Sequence, residues 1–281
     1  MASSPEHSVA SDEPVLEIVG TVEESIPPEP SEAERIGRYD LCFELASGGM
    51  ATVYLARVAG PVGFEKLVAL KRIHRHLAKE TRYIEMFLDE ARIASRITHP
   101  NVCSVFDFGE AEGEYFIAME YLVGEPLSRL CLKLVRNEAE RHNPLRPLLT
   151  ASIIAHVCEG LHAAHELRDA HGELLHVVHR DVSPRNLFVT YDGSVQVVDF
   201  GLASARHRLH QTVSGELKGT FAYMAPEQLR GRADHRSDVF SLGVVLYEMT
   251  VGRKLFSSVA NSALEQTRSR EIVLPSQLVE D

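Results

Sequence analysis

Asp181, Asn186 and Asp199 are the residues of this chain whose types and spacing could do chemistry. Two of them sit in His179-Arg180-Asp181-Val182-Ser183-Pro184-Arg185-Asn186; the third, thirteen residues after Asn186, opens Asp199-Phe200-Gly201. One carboxylate can orient a hydroxyl nucleophile and take its proton. An amide oxygen and a second carboxylate are the hard oxygen donors that magnesium prefers. Those are the parts that transfer of a phosphoryl group from a nucleotide needs. Two more runs lie at workable spacings: Val68-Ala69-Leu70-Lys71 upstream and Ala225-Pro226-Glu227 downstream. One such tripeptide carries little information. Four in this order leave little room for chance.

The elements that must position these residues follow from the hydrophobic pattern. Tyr39 to Leu45 alternates as a strand does, and so do Thr52 to Val58 and Lys66 to Ile73. Gly60-Pro61-Val62-Gly63 is a turn between the last two. Tyr83 to Ile97 has helical spacing (Ile84, Phe87, Leu88, Ala91, Ala94) and ends at His99-Pro100-Asn101. Val102 to Gly109 and Tyr115 to Tyr121 read as two further strands. The first part of the fold is therefore five strands and one helix. Beyond Gly124 the pattern turns helical, with helices predicted over Leu127 to Ala139, Thr150 to Arg168 and Asp238 to Val251. Short strands at Val177-Val178, Leu187 to Val189 and Val195 to Val198 flank the Asp181 loop. The class is α+β, in two lobes.

Charge and composition narrow the function classes. The formal net charge is −11, but residues 1 to 35 hold nine acidic residues and one arginine, leaving the other 246 at −3. There is no basic field of the kind nucleic-acid binding needs. Residues 1–37, rich in Glu, Ser and Pro, bury too little apolar surface to offset their ordering entropy and read as a disordered acidic tail. The most apolar window, Val239 to Met249, is too short for a membrane span. No secretory leader is evident. The scattered Cys42, Cys103, Cys131 and Cys158 form no C-x-x-C, which fits reduced thiols and a cytoplasmic location. The fourteen histidines show no zinc-ligand spacing.

With Leu45-Ala46-Ser47-Gly48-Gly49-Met50-Ala51-Thr52-Val53-Tyr54 added, residues 38 to 260 resemble bacterial eukaryotic-type Ser/Thr protein kinases, in a form similar to myxobacterial ones. The resemblance implies a kinase domain over 38–281. Its N-lobe spans 38–121, its hinge 120–125 and its C-lobe 126–281. ATP and Mg²⁺ are the implied cofactors, and protein Ser/Thr hydroxyls the implied acceptors. It makes Asp181 the catalytic carboxylate, Asn186 and Asp199 the magnesium ligands, and Lys71 the phosphate-binding lysine. Glu90 is that lysine's helix partner, with Glu85 as fallback. The implied nucleotide contacts are Leu45, Gly48, Gly49, Val53, Ala69, Lys71, Met119 as gatekeeper, Glu120, Leu122, and Glu125 toward the ribose, together with Asn186 and Asp199. Arg180 would pair with a phosphate on the following loop, where Thr212 and Ser214 are candidates. Thr220 would hydrogen-bond Asp181, and Asp238 would anchor the Asp181 loop by accepting backbone N–H groups.

Several departures from the family pattern carry expectations of their own. The first and third glycines of the family's loop are Ala46 and Ala51 here. Ser183 stands where Ser/Thr kinases carry lysine, and Arg185 stands where tyrosine kinases carry arginine. The cationic role has either moved to Arg185 or been lost, whereas Gly219 to Glu227 resembles a Ser/Thr substrate loop. The run Arg168 to His176 is longer than the family needs. The C-lobe is expected to lack its last helices, which leaves Glu227 without its usual arginine. Apolar surface exposed there would be covered by a partner chain or a second copy. The alternative to an active kinase is a nucleotide-binding scaffold without turnover. No nucleic-acid or membrane partner is expected.

Overall fold

The computed structural model describes residues 34–137, 143–200, 220–256 and 272–278. Its first layer is a sheet in the order β1-β2-β3-β4-β6-β5. The strands are β1 (Arg35–Ile36), β2 (Tyr39–Ser47), β3 (Ala51–Ala59), β4 (Glu65–Ile73), β5 (Val105–Ala111) and β6 (Glu114–Glu120). All pairings are antiparallel. The helix α1 (Thr81–Ala94) runs between β4 and β5 in sequence.

Alternation along the strands decides which side chains meet. Val68 and Leu70 of β4 join Phe116 and Ala118 of β6 in one cluster, with Tyr39, Leu41 and Ala56. Residues of opposite parity, Ile73 and Ile117, face Phe87 and Ala91 of α1. Lys71 has that second parity, so the register turns it toward α1. On α1 the buried stripe is Tyr83, Phe87, Glu90, Ala91 and Ala94. A carboxylate therefore lies on an otherwise apolar helix face, and it needs a cation.

The second lobe is built on helices α2 (Leu127–Arg136), α3 (Arg146–His165) and α4 (His235–Val251). A small sheet, β7 (Gly124–Pro126), β8 (Leu187–Thr190) and β9 (Val195–Val197), packs against them. Val157, Leu161 and Ala164 of α3 share a core with Leu242, Val245 and Met249 of α4 and with Leu127, Leu187 and Val197. The helix α4 starts with a capping box between Asp234 and Ser237. It stops at Gly252, whose φ of 78° suits glycine, and Arg146 donates to its last carbonyls at Met249 O. At Gly160 a Cβ would stand 2.5 Å from the Asn101 carbonyl, so glycine lets α3 approach the segment after α1. That segment joins the lobes: Val197 N–H donates to Asn101 O and Cys103 N–H to Val197 O.

The structure departs from the sequence expectations in several places. The sheet gains the edge strand β1, which draws residues 35–36 out of the segment predicted to be disordered; Ile36 is buried and supplies the reason. Helix α3 begins at Arg146 rather than Thr150, since Pro147 suits a first helical turn. Val177 and Val178 are buried but form no strand. Glu227, expected to lack its usual arginine, accepts a hydrogen bond from Ser237 Oγ at 3.0 Å. The long run 168–176 closes on itself: Arg168 bridges Leu174, and Asp169 accepts from His171 and Glu173 N–H groups. Residues 1–33 of the predicted tail lie outside the described residues.

Candidate active site

Lys71 Nζ lies 2.7 Å from Glu90 Oε1 and 2.8 Å from Asp199 Oδ1. Glu90 is 6% exposed. Burial opposes the lysine charge, but Asp199 and Glu90 outweigh it and hold the ammonium pKa above its usual range. For Asp199 burial acts upward, and Lys71 overcomes it, so its pKa lies below the ordinary carboxylate value. For Glu90 burial wins over the attraction of Lys71, and its pKa is raised. Lys71 and Asp199 are thus the ion pair that stays charged, with Glu90 the first of the three to take a proton. Glu90, rather than the fallback Glu85, is the helix carboxylate that pairs with Lys71.

The Asp181 loop hangs from α4. Asp238 is 1% exposed and accepts three hydrogen bonds of 2.8 Å, from His179 N–H, Arg180 N–H and His165 Nε2. Asp181 N–H donates to His179 Nδ1, so the ring proton sits on Nε2 and is donated to the Val198 carbonyl. His179 is fully buried and packs 4.8 Å from the Phe200 ring. It supports the loop from beneath. Two residues here, Arg180 and Asp199, have positive φ (65° and 55°), a conformation that costs energy for non-glycine residues and persists only where the surroundings impose it.

Asn186 Nδ2 donates to the Asp181 carbonyl at 2.8 Å, which leaves its amide oxygen as an acceptor. Val198 N–H donates to Asn186 O, tying the asparagine to the strand that leads into Asp199. The Asn186 oxygen and the second Asp199 oxygen form a donor set of the hard type that magnesium takes. Those residues fit the ion.

The nucleotide-facing candidates sit where the strands put them. Leu45, Gly48, Gly49 and Val53 belong to the β2–β3 hairpin, closed by Gly48 N–H to Ala51 O at 2.9 Å. Nothing lies within 4 Å of a Cβ at Gly49, so the hairpin itself does not demand glycine there. Ala69 pairs with Met119 across β4 and β6. Glu120 N–H donates to Ser104 O, and the Cys103 thiol to the Glu120 carbonyl, which fixes the segment leading to Leu122. Behind Met119 lies a cavity of about 20 Å³ lined by Glu90, Cys103, Asp199 and Phe200. Glu125 is held by Arg129 at 3.1 Å and by the Tyr191 hydroxyl at 3.3 Å. Arg185 is exposed beside Asn186. Thr212 and Ser214, and the side chain of Thr220, lie outside what the structure describes.

Sequence reasoning missed three contributors. His165 adds the third bond to Asp238, Gln228 donates to the Arg180 carbonyl at 2.5 Å, and Ser237 holds Glu227. Only the position of Gln228 and Ser237 next to recognised motifs hinted at them; nothing in the local sequence marked His165.

The protein kinase domain family matches residues 39–279. Tyrosine-protein kinase MasK of Myxococcus xanthus is 47% identical over 222 residues, 79% of this chain and 34% of that protein. Serine/threonine-protein kinase PrkC of Bacillus subtilis is 33% identical over 218 residues, 77% of this chain and 31% of that one. The chain therefore spans about a third of the length of these relatives. Among solved structures, the kinase domain of Mycobacterium tuberculosis PknI superposes with a TM-score of 0.58 at 26% identity, covering 82% of this chain and 81% of that one. The lysine–glutamate pair, the suspended Asp181 loop and the Asn186–Asp199 donor set are thus found on a matching fold, and the chain belongs to the protein kinase family.

Proposed function

We propose that this chain catalyses transfer of the γ-phosphoryl group of ATP to a Ser or Thr hydroxyl of a protein. The observation that carries the reading is Lys71 gripped between Glu90 and Asp199 at 2.7 and 2.8 Å, with Asn186 tied to the Asp181 carbonyl at 2.8 Å. Lys71 is placed to hold the nucleotide phosphates. Asp181 orients the acceptor hydroxyl and takes its proton. Asn186 and Asp199 would hold magnesium, which when bound supplies neutralisation of phosphate charge. Arg185 would balance charge at the transferring group in the absence of a lysine at 183.

The Ser/Thr preference rests on the run Gly219 to Glu227, and the names of several relatives agree with it. A tyrosine acceptor is the second reading, favoured by Ser183 with Arg185 and by the name of the Myxococcus relative, a tyrosine-protein kinase. Among the described residues no helix is long and apolar enough to cross a membrane, and a cytoplasmic site of action fits the thiol content. A second copy or partner against the exposed Leu145, Leu148 and Leu149 stays a proposal of the same kind.

The test is transfer of label from [γ-³²P]ATP with Mg²⁺ to the chain and to a generic protein substrate, beside Asp181→Asn. Label that the variant lacks supports the reading, and hydrolysis of the product identifies Ser, Thr or Tyr. A folded chain that binds nucleotide and transfers nothing would instead be a scaffold.

A further inference from the structure

The segment 220–256 borders the Asp181 loop, to which Gln228 ties it through the Arg180 carbonyl. Its charges are divided by sign. Arg230, Arg232, Arg236, Arg253 and Lys254 are all exposed. Its four carboxylates are each turned onto a donor of the fold. Glu227 accepts from Ser237 Oγ, and Asp234 caps α4 through Arg236 N–H at 2.8 Å. Asp238 is buried beneath the Asp181 loop. Glu248 accepts from the Tyr223 hydroxyl at 2.8 Å and from Leu255 N–H at 3.2 Å, and burial raises its pKa. Arg230, Arg232 and Arg236 lie at the end of α4 that meets the Asp181 loop, where Asp238 is buried and the exposed Asp234 is engaged as the helix cap.

The same bias continues to the acceptor's doorstep. Arg185, exposed and one residue before Asn186, adds a further cation on the Asp181 loop itself. A surface of this kind raises the local concentration of anionic chains and sets their register within a Debye length of about 8–10 Å.

We propose that this face selects acceptor hydroxyls lying in acidic sequence. The inference deepens the kinase reading and rests on it. The chain itself contains a segment with that chemistry. Residues 21–35 carry Thr21, Ser25 and Ser31 among five glutamates and a single arginine.

The experiment uses the whole chain with three synthetic peptides: residues 21–35 as they stand, the same with every Glu replaced by Gln, and the same with every Glu replaced by Lys. Phosphoryl transfer from labelled ATP is measured at low and high salt. The acidic peptide is expected to show a kcat/KM about 10-fold or more above the Gln peptide, a ratio that shrinks as salt screens the surface. In Arg230→Glu/Arg232→Glu/Arg236→Glu the ratio of acidic to Lys peptide is expected to collapse, while a pure loss of catalysis would lower both peptides alike. Equal transfer to the acidic and Gln peptides, or preference for the Lys peptide, overturns the inference and leaves the kinase reading standing. No transfer to any peptide or to the chain itself overturns the kinase reading, and the inference with it.

Discussion

Replacing Asp238 by alanine tests the load path beneath the Asp181 loop. The side chain is 1% exposed and receives N–H groups of His179 and Arg180 and the ring of His165, each at 2.8 Å. Alanine leaves two buried backbone donors without a partner, and each such donor costs about 1–3 kcal/mol. The His165 ring, 15% exposed at its side chain, has water within reach and adds less. The sum is about 2–6 kcal/mol, a large share of the roughly 5–15 kcal/mol that holds a domain together. At about 2–4 °C per kcal/mol for a chain of this size, the melting midpoint should fall by at least about 4 °C. Asp238→Asn retains one acceptor oxygen and sets an N–H against a donor, so it should lie between wild type and alanine. Urea denaturation with an unchanged m-value gives the stability, and labelled-phosphate transfer gives the activity. His179 and Arg180 precede Asp181 directly, so kcat should fall more than nucleotide affinity. A stability loss below about 1 kcal/mol with full activity would refute the argument that Asp238 suspends the loop.

Three further outcomes follow from the same contacts. Burial raises the Glu90 pKa, so Glu90 is protonated at a higher pH than an ordinary carboxylate; as pH falls through that range Lys71 loses one partner. The pH–rate profile should therefore show an acid limb above the usual carboxylate region of about 4.3, and Glu90→Gln, though slower, should lack it. Gly160→Ala places a methyl 2.5 Å from the Asn101 carbonyl; it should destabilise by about 1–3 kcal/mol in urea, whereas Gly49→Ala, with open space around it, should leave stability within about 1 kcal/mol. Burial pushes the Cys103 and Cys131 thiols up to about 12, so little thiolate exists at pH 8. Iodoacetamide with mass spectrometry should label the exposed Cys158 first, and Cys103 and Cys131 only after unfolding.

The chemistry of the site was legible because it is written in contiguous runs. His179 to Asn186, Asp199 to Gly201 and Val68 to Lys71 each carry their residues within a few positions, whereas the side of β4 that Lys71 takes emerged from the sheet register and the packing against α1. Glu90 was legible only through the family resemblance, since a helix glutamate by itself reads as solvated; its place on the buried stripe of α1 came from the structure. Other parts were not legible. The strand β1 is two residues long, below any periodic signal, and is held by Ile36 entering a core made of residues far along the chain. Helix α3 starts four residues early because its first turn, Arg146 with its proline, is fixed by Arg146 reaching Met249 O across 103 residues.

What the sequence by itself determined is the set of candidate reacting groups and their order, because local runs and periodicity are properties of neighbours along the chain. What only the tertiary structure decided is which distant groups hold them. His165 meets Asp238 across 73 residues, Gln228 meets Arg180 across 48, and Lys71 meets Asp199 across 128. Those pairings arise when the two lobes and the α3–α4 core pack. Burial then makes each unpaired polar group costly enough that only the satisfied arrangement survives.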